Sequence, residues 1–124
     1  MKLYICKHCG NVISYEKKSG IDVTCCGESM TEIIPSQSDG ANEKHVPIIK
    51  KDGNKIIVLV GEKEHPMTEE HFIEWIVIET NKGIQKVNLS FKDEPKAEFL
   101  IDNNDSVNAA YAYCNLHGFW KSMD

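Results

Sequence analysis

The chain has 124 residues, of which 41% are hydrophobic, with a formal net charge of −5 and a pI near 5.5. This length allows one modest domain or a very small module joined to a larger one, and the acidic balance argues against a nucleic-acid-binding protein. No apolar run approaches the roughly 20 residues that a membrane-spanning helix needs, so we expect a soluble, cytoplasmic protein without membrane attachment.

The first part of the chain is short and rich in turns. Strands are predicted over residues 2–6 and 11–16. A module of this size buries too little apolar surface to fold unaided, so a bound metal would supply the missing stability. Residues 36–42 are small, polar and turn-prone, which predicts a linker between a module over residues 1–35 and a domain over residues 43–124.

The chain after Glu43 is predicted to consist of strands. Residues 46–51 and 55–60 flank a turn at Gly53, which is a hairpin signal. The other predicted strands are residues 72–80, 85–91, 97–101 and 107–114. A helical turn is plausible only over residues 65–70, which suit a loop equally well. Short strands with polar turns predict an all-β fold with an antiparallel β-sandwich.

The cysteines and most of the histidines fall into two groups. Thiolate and imidazole are the usual protein ligands of iron, zinc and copper. The first group, near the N-terminus, consists of Cys6, Cys9, Cys25 and Cys26. The second group consists of His45, His65, His71, Cys114 and His117. This division predicts two metal centres with different roles, one all-sulfur and one mostly nitrogen.

The first group combines a Cys-x2-Cys pair with an adjacent pair, Cys25-Cys26. Two such pairs can complete a tetrahedron around one ion, although ordinary zinc ribbons use Cys-x2-Cys for both pairs. Iron in an electron-transfer centre and a purely structural zinc knuckle both remain open from the spacing. A disulfide framework fits poorly with a cytoplasmic protein. His8 is interpreted as an exposed loop residue, because this site already has four ligands.

Each member of the second group has an ordinary interpretation when it is taken singly. Together, His65 and His71 lie around one connecting segment, and Cys114-x2-His117 occupies the turn between the last two strands. Four imidazoles with one thiolate are a poor set for structural zinc, which is normally four-coordinate and closed. They are a good set for a square-pyramidal iron with one position open.

These motifs resemble a known family. Cys6-x2-Cys9-Gly10 followed by Cys25-Cys26 resembles desulforedoxin, a small rubredoxin-like module with one iron held by four cysteines. Four further segments look like the superoxide reductase domain: Glu43-Lys44-His45-Val46-Pro47, His65-Pro66-Met67, His71-Phe72-Ile73-Glu74-Trp75 and Cys114-Asn115-Leu116-His117-Gly118-Phe119-Trp120. Over essentially its whole length the chain therefore resembles the desulfoferrodoxins, which are two-iron superoxide reductases. The resemblance implies a desulforedoxin-like module followed by an immunoglobulin-like, seven-stranded antiparallel sandwich.

The resemblance also implies cofactors, a reaction and partners. It implies two iron ions, one held by the four N-terminal cysteines and one by the four histidines equatorially with Cys114 axial. His117 would bind through Nδ1 and the other three histidines through Nε2. The ferrous four-histidine, one-cysteine centre, open at its sixth position, would reduce superoxide by one electron to hydrogen peroxide. A rubredoxin-like donor would re-reduce it, and the protein would be a homodimer.

Glu43 and Lys44 are the catalytic residues that the resemblance implies. Lys44 would reverse the local sign of an acidic protein and attract the superoxide anion, while Glu43 would cap the oxidised iron. An adjacent Glu-Lys pair is otherwise an ordinary solvated turn. Two other functions remain open: an iron electron carrier without reductase activity, and a zinc-binding interaction module.

Overall fold

The computed structural model of the chain describes residues 1–123, in two units, Met1–Ile34 and Pro35–Asp124. The first unit consists of the strands β1 (Leu3–Ile5), β2 (Val12–Ile13), β3 (Thr24–Cys25), β4 (Glu28–Ser29) and β5 (Thr31–Ile33). β1 is the centre of an antiparallel sheet of order β2-β1-β5, and β3 pairs with β4. Its buried core is very small: Tyr4, Cys6 and Met30 form one cluster with partly buried neighbours, and Leu3 is also buried.

The second unit is a sandwich of two antiparallel sheets. It begins with one helical turn, α1 (Asn42–His45). The strands that follow are β6 (Pro47–Asp52), β7 (Lys55–Val60), β8 (Ile73–Thr80), β9 (Ile84–Asn88), β10 (Lys96–Leu100), β11 (Val107–Cys114) and β12 (Gly118–Lys121). The sheets have the orders β10-β7-β6 and β12-β11-β8-β9. The predicted all-β fold is therefore confirmed, with the seven sandwich strands that the resemblance implies.

The core of the sandwich follows from the two-residue period of its strands. Alternate side chains of a strand point to opposite faces, and in β7 the inward set is Ile56, Val58 and Val60, each at most 1% exposed. The corresponding inward residues of the facing sheet include Ile76, Ile78, Ala110, Ala112 and Cys114. Cys114 thus belongs to the apolar layer and at the same time ends β11, which places its sulfur at one end of the core.

The ends of several strands meet at this same end of each sheet. Pro47, which begins β6, pairs with Val60, which ends β7, while Ile73 at the start of β8 pairs with Cys114. Residues that follow or precede these strand ends are therefore brought near one another. The histidines of the second group lie in these flanking segments.

Of the two structures predicted for residues 65–70, the loop is the one found: residues 65–68 have no regular structure and residues 69–70 form a bend. The four-residue α1 at Asn42–His45, just before the first predicted strand of the domain, is not predicted from the sequence. The backbone N–H of Val46 donates to the Asn42 carbonyl at 3.0 Å, and the His45 ring bonds to the Ala41 carbonyl at 2.8 Å. One turn held by such contacts carries no helical periodicity in its sequence. No helix within residues 1–123 is long and apolar enough to cross a membrane.

The predicted strand over residues 85–91 is too long. β9 ends at Asn88, and a turn follows in which the Ser90 N–H donates to the Asp93 carboxylate at 2.7 Å. The alternation of apolar and polar residues continues into this turn, with Leu89 and Phe91 partly buried. The Leu89 N–H still donates to the Glu74 carbonyl of β8 at 2.9 Å, so side-chain alternation extends beyond this bond as far as Phe91.

Candidate metal centres

The first unit brings its four cysteines together. The sulfurs of Cys6, Cys9, Cys25 and Cys26 all lie within 4.8 Å of one another, and all five cysteines of the chain are free thiols. Cys9 Sγ is 3.5 Å from Cys25 Sγ, and Cys25 Sγ is 4.0 Å from Cys26 Sγ. Four sulfurs about 2.3 Å from one ion at tetrahedral angles would be about 3.8 Å apart, so this four-cysteine cluster has the size of a single-metal site.

Two tight loops produce this cluster. The first follows β1, where the Gly10 N–H donates to the Cys6 carbonyl and the Cys9 N–H donates to the Cys6 sulfur at 3.5 Å. The second is the two-residue turn between β3 and β4, in which Cys26 and Gly27 have φ of 53° and 80°. Positive φ at both central residues is typical of a type I′ hairpin turn. This turn breaks the strand's alternation after Cys25, so that adjacent cysteines can face one point.

The protonation of these thiols favours a bound cation. Hydrogen bonding from the Cys9 backbone N–H lowers the pKa of Cys6 to about 6. Hydrogen bonds with the sulfurs of Cys6 and Cys9 raise the pKa of Cys26 to about 12, and Cys9 likewise raises the pKa of Cys25. Cys6 thus ionises readily while Cys25 and Cys26 stay protonated, because their thiols are hydrogen-bonded to the neighbouring sulfurs. A metal cation is the group that stabilises all four as thiolates.

At the end of the sandwich four imidazole rings form a square. Neighbouring ring centroids are 4.6 Å apart for His45–His65 and His65–His71, 5.1 Å for His71–His117 and 4.8 Å for His45–His117. The opposite rings of His45 and His71 have centroids 6.2 Å apart and planes only 30° from parallel. Neighbouring planes instead meet at 72° or more. The rings therefore surround one common point.

Hydrogen bonds fix which nitrogens face that point. Nδ1 of His45 lies 2.8 Å from the Ala41 carbonyl and Nδ1 of His65 lies 2.6 Å from the Pro66 carbonyl. A carbonyl only accepts, so both Nδ1 atoms carry the proton, and in the neutral rings both Nε2 atoms have a free lone pair. These two Nε2 atoms are 3.1 Å apart. His117 instead turns Nδ1 inward, 3.1 Å from Nε2 of His45.

This donor set fits a metal ion. Two unprotonated nitrogens at 3.1 Å repel each other unless a cation lies between them, and two ligands at a right angle about 2.1 Å from one ion would be about 3.0 Å apart. Nε2 of His71 is buried, and within residues 1–123 it has no hydrogen-bond partner. Burial lowers the pKa of His45, His71 and His65, the last to about 4, which keeps the rings neutral as metal ligands must be.

Cys114 supplies a buried sulfur to the same site. Its Sγ lies within 4.8 Å of the donor nitrogens of His45, His65 and His71, and 3.9 Å from Nδ1 of His117. Burial raises the pKa of this thiol, while the His117 backbone N–H donates to the sulfur at 3.4 Å. A cation at the centre of the square would offset the desolvation that disfavours the thiolate. His71 and His117 are partly exposed, whereas His45, His65 and Cys114 are buried, so the site reaches solvent on one side.

Asn115 joins the segment that carries His71 to the segment that carries Cys114, a role that the sequence analysis misses. Its Oδ1 accepts from the Phe72 N–H at 2.9 Å, its Nδ2 donates to the Glu70 carbonyl at 2.9 Å, and its N–H donates to the Phe72 carbonyl at 3.2 Å. His71 lies between these partners. The position of Asn115 inside Cys114-x2-His117 is the sequence signal that points to it.

Trp120 and Gly40 contact the side of the square formed by His45 and His117. The indole stacks on the His45 ring with centroids 4.8 Å apart, and its Nε1–H donates to the His117 carbonyl at 3.0 Å. A Cβ on Gly40 would lie 2.7 Å from the indole and 3.0 Å from the His45 ring, so a side chain there would displace one of them. The backbone must approach the site closely here, which requires glycine.

Glu43 and Lys44 both lie in α1, next to His45, one of the four rings of the square. The Glu43 carboxylate is 48% exposed and forms an ion pair with Lys63. The charge of Lys44 contributes to the lowered pKa of His45 and His71, after burial and the neighbouring histidines. His8 is exposed and lies 3.2 Å from the Glu28 carboxylate. The structure therefore keeps His8 outside the donor atoms of the four-cysteine cluster.

The chain is similar to known proteins over almost its whole length, in both sequence and fold. Residues 37–123 match the family model described as desulfoferrodoxin. Desulfoferrodoxins of Nitratidesulfovibrio vulgaris and Clostridium acetobutylicum are 46% and 42% identical, covering 98% of this chain and 94% and 95% of theirs. The solved superoxide reductase of Treponema pallidum matches with a TM-score of 0.80 and 34% identity over 98% of both chains.

The small core of the first unit generates a prediction. Cys9→Ser should abolish metal binding by the four-cysteine cluster and unfold residues 1–34, because Tyr4, Cys6 and Met30 bury too little surface alone. The second unit should stay folded, since its core is its own. Amide NMR signals and metal content per chain measure both effects, with Ser19→Ala in the same unit as the control. Loss of the sandwich signals as well would contradict the independence of the two units.

Proposed function

The chain belongs to the desulfoferrodoxin family, and from this premise we propose that it is a superoxide reductase, an oxidoreductase that reduces superoxide to hydrogen peroxide. The two donor sets fit the two iron centres of that family. The first iron would be held by Cys6, Cys9, Cys25 and Cys26. The second would be held by His45, His65, His71, His117 and Cys114.

The observation that carries this proposal is the square of four imidazoles with a single buried sulfur. A closed structural zinc site uses four ligands, whereas this site offers five. Five donors leave an octahedral metal one further position, which a small anion can use. The partial exposure of His71 and His117 supports access from solvent.

Iron bound at the square would supply one electron, so that superoxide and two protons give hydrogen peroxide, and an outside donor would restore the electron. The chain's own residues prepare the site for this reaction. The carbonyls of Ala41 and Pro66 hold the His45 and His65 rings with Nε2 inward. The His117 N–H donates to Cys114 Sγ and thereby moderates the electron density on that sulfur. Water at the exposed side would deliver the protons.

Lys44 is proposed to attract the substrate. The chain carries a net charge of −5, so its mean field repels superoxide. A positive charge close to the reacting position reverses the local field and raises the encounter rate. The position of Lys44 in α1, directly before His45, supports this assignment, and its charge adds to burial and His117 in lowering the pKa of His71.

The electron donor, the oligomeric state and the location are proposed from the family resemblance and from the free thiols. A rubredoxin-like electron donor and a homodimer follow from the family resemblance. A cytoplasmic location fits five free thiols, which a reducing compartment preserves. The four-cysteine centre is proposed to bind iron as an electron-transfer site and to stabilise the first unit.

The reaction type has a direct test. The fully reduced two-iron protein should consume superoxide and form hydrogen peroxide without releasing oxygen, because each turnover takes an electron from the protein. An oxygen electrode and a peroxide assay under a steady superoxide flux measure the ratio. One oxygen released for every two superoxides consumed would identify a dismutase. No consumption above the spontaneous rate would leave an electron carrier or a zinc module.

The proposed role of Lys44 predicts a slower encounter. Lys44→Ala should lower the second-order rate constant with superoxide about tenfold at low ionic strength, because the local attraction is lost. The difference should shrink as salt is added, since a Debye length of about 10 Å at 0.1 M screens the field. Pulse radiolysis measures the constant. Lys82→Ala, at the opposite end of β8, is the matched control, and an unchanged constant in Lys44→Ala would refute the steering role.

The proposed role of Glu43 predicts a change in the oxidised site. A hard carboxylate prefers ferric to ferrous iron, so Glu43→Ala should shift the absorption band of the oxidised four-histidine site and tighten its binding of azide or cyanide. Glu98→Ala removes a similarly exposed, ion-paired carboxylate elsewhere and should change neither property. If Glu43→Ala has the parent's spectrum and anion affinity, Glu43 is an ordinary surface residue.

A further inference from the structure

The Glu43 carboxylate has a specific partner, Lys63. Oε2 of Glu43 lies 3.4 Å from Nζ of Lys63, and both side chains are largely in solvent, at 48% and 67% exposure. The carboxylate that is proposed to cap the oxidised iron is therefore engaged by a cation on the segment that follows β7. Lys63 lies two residues before ligand His65, so this segment belongs to the same end of the sandwich.

The backbones of the two partners are locked together. The Lys63 N–H donates to the Glu43 carbonyl at 2.8 Å. A Cβ on Gly61 would lie 2.7 Å from both the Glu43 carbonyl oxygen and the Lys44 carbonyl carbon, so the segment approaches α1 more closely than a residue with a side chain allows. Because both backbones are fixed, the ion pair orders fewer degrees of freedom than a pair between mobile loops.

The two lysines near Glu43 therefore have different surroundings. Lys44 lies in α1 between Glu43 and His45, on the turn that carries one of the four rings. Lys63 acts on the carboxylate of Glu43.

We propose that Lys63 is a positioning residue that holds the Glu43 carboxylate off the open position of the four-histidine site. This inference rests on the proposed function and extends it. Lys63 would compete with the metal for the Glu43 carboxylate. The carboxylate would leave Lys63 to bind ferric iron and return to it when the iron is reduced. Lys63 thus lowers the fraction of ferric sites in which the Glu43 carboxylate is bound to the iron.

The expected effect is modest and measurable. Exposed ion pairs shift an equilibrium by about 1.4- to fivefold, and the fixed backbones favour the upper part of that range. Lys63→Met keeps most of the length of the side chain and removes its charge. Capping should then become stronger, and an external anion should bind the ferric site about two- to fivefold more weakly.

The test is an azide titration of the oxidised two-iron protein, followed by the absorption band of the four-histidine site. Four variants are compared at fixed pH and low salt: parent, Lys63→Met, Glu43→Ala and the double variant. Removing a cation also weakens azide binding by simple electrostatics, and the double variant isolates that contribution. Lys82→Met, which breaks an exposed pair with Asp102, is the control for a distant lysine.

The result expected is weaker azide binding in Lys63→Met that largely disappears when Glu43 is already alanine. An equal effect of Lys63→Met in both backgrounds, or no effect in either, would overturn the role of Lys63 while leaving the proposed role of Glu43 intact. If Glu43→Ala itself leaves azide affinity and the spectrum unchanged, the capping role fails and the role of Lys63 fails with it.

Discussion

The arrangement on which the second site depends is the approach of two unprotonated nitrogens, Nε2 of His45 and Nε2 of His65, to 3.1 Å. Backbone carbonyls hold the protons of both rings on Nδ1, so neither nitrogen can donate to the other. The repulsion between their lone pairs is relieved by a cation. The sandwich supplies the rigid surroundings that keep these rings facing each other, and a bound cation supplies the charge that makes the arrangement favourable.

The two units hold their donor groups in place with hydrophobic cores of very different size. The first has almost no core, so its four-cysteine cluster must contribute to its folding as well as to any electron transfer. The second has a full apolar layer that ends in Cys114 and can therefore hold five ligands in place at one end. Two lysines lie at this end of the chain's second unit: Lys44 in α1 next to His45, and Lys63 paired with the Glu43 carboxylate.

Much of the fold follows from local pattern, whereas the supports of the site do not. The strands 55–60 and 107–114 coincide with β7 and β11, because alternation and turn residues mark both. The grouping of ligands follows from residue type and motif. The helical turn α1 was missed because contacts from Ala41 and Gly61 stabilise it rather than periodicity. Asn115 bonds to residues more than 40 positions away, and Lys63 pairs with a residue in another segment, so neither role is visible in the linear sequence.

Two chemically distinct donor sets should hold two irons in one chain. Metal analysis of anaerobically prepared protein, combined with its visible spectrum in oxidised and reduced states, measures this. We expect two irons per chain, with separate thiolate-type and histidine–thiolate bands, and selective loss of the first set of bands when a cysteine of the N-terminal cluster is replaced. Zinc in either site of a protein made with iron in excess, or a single iron per chain, would contradict this expectation.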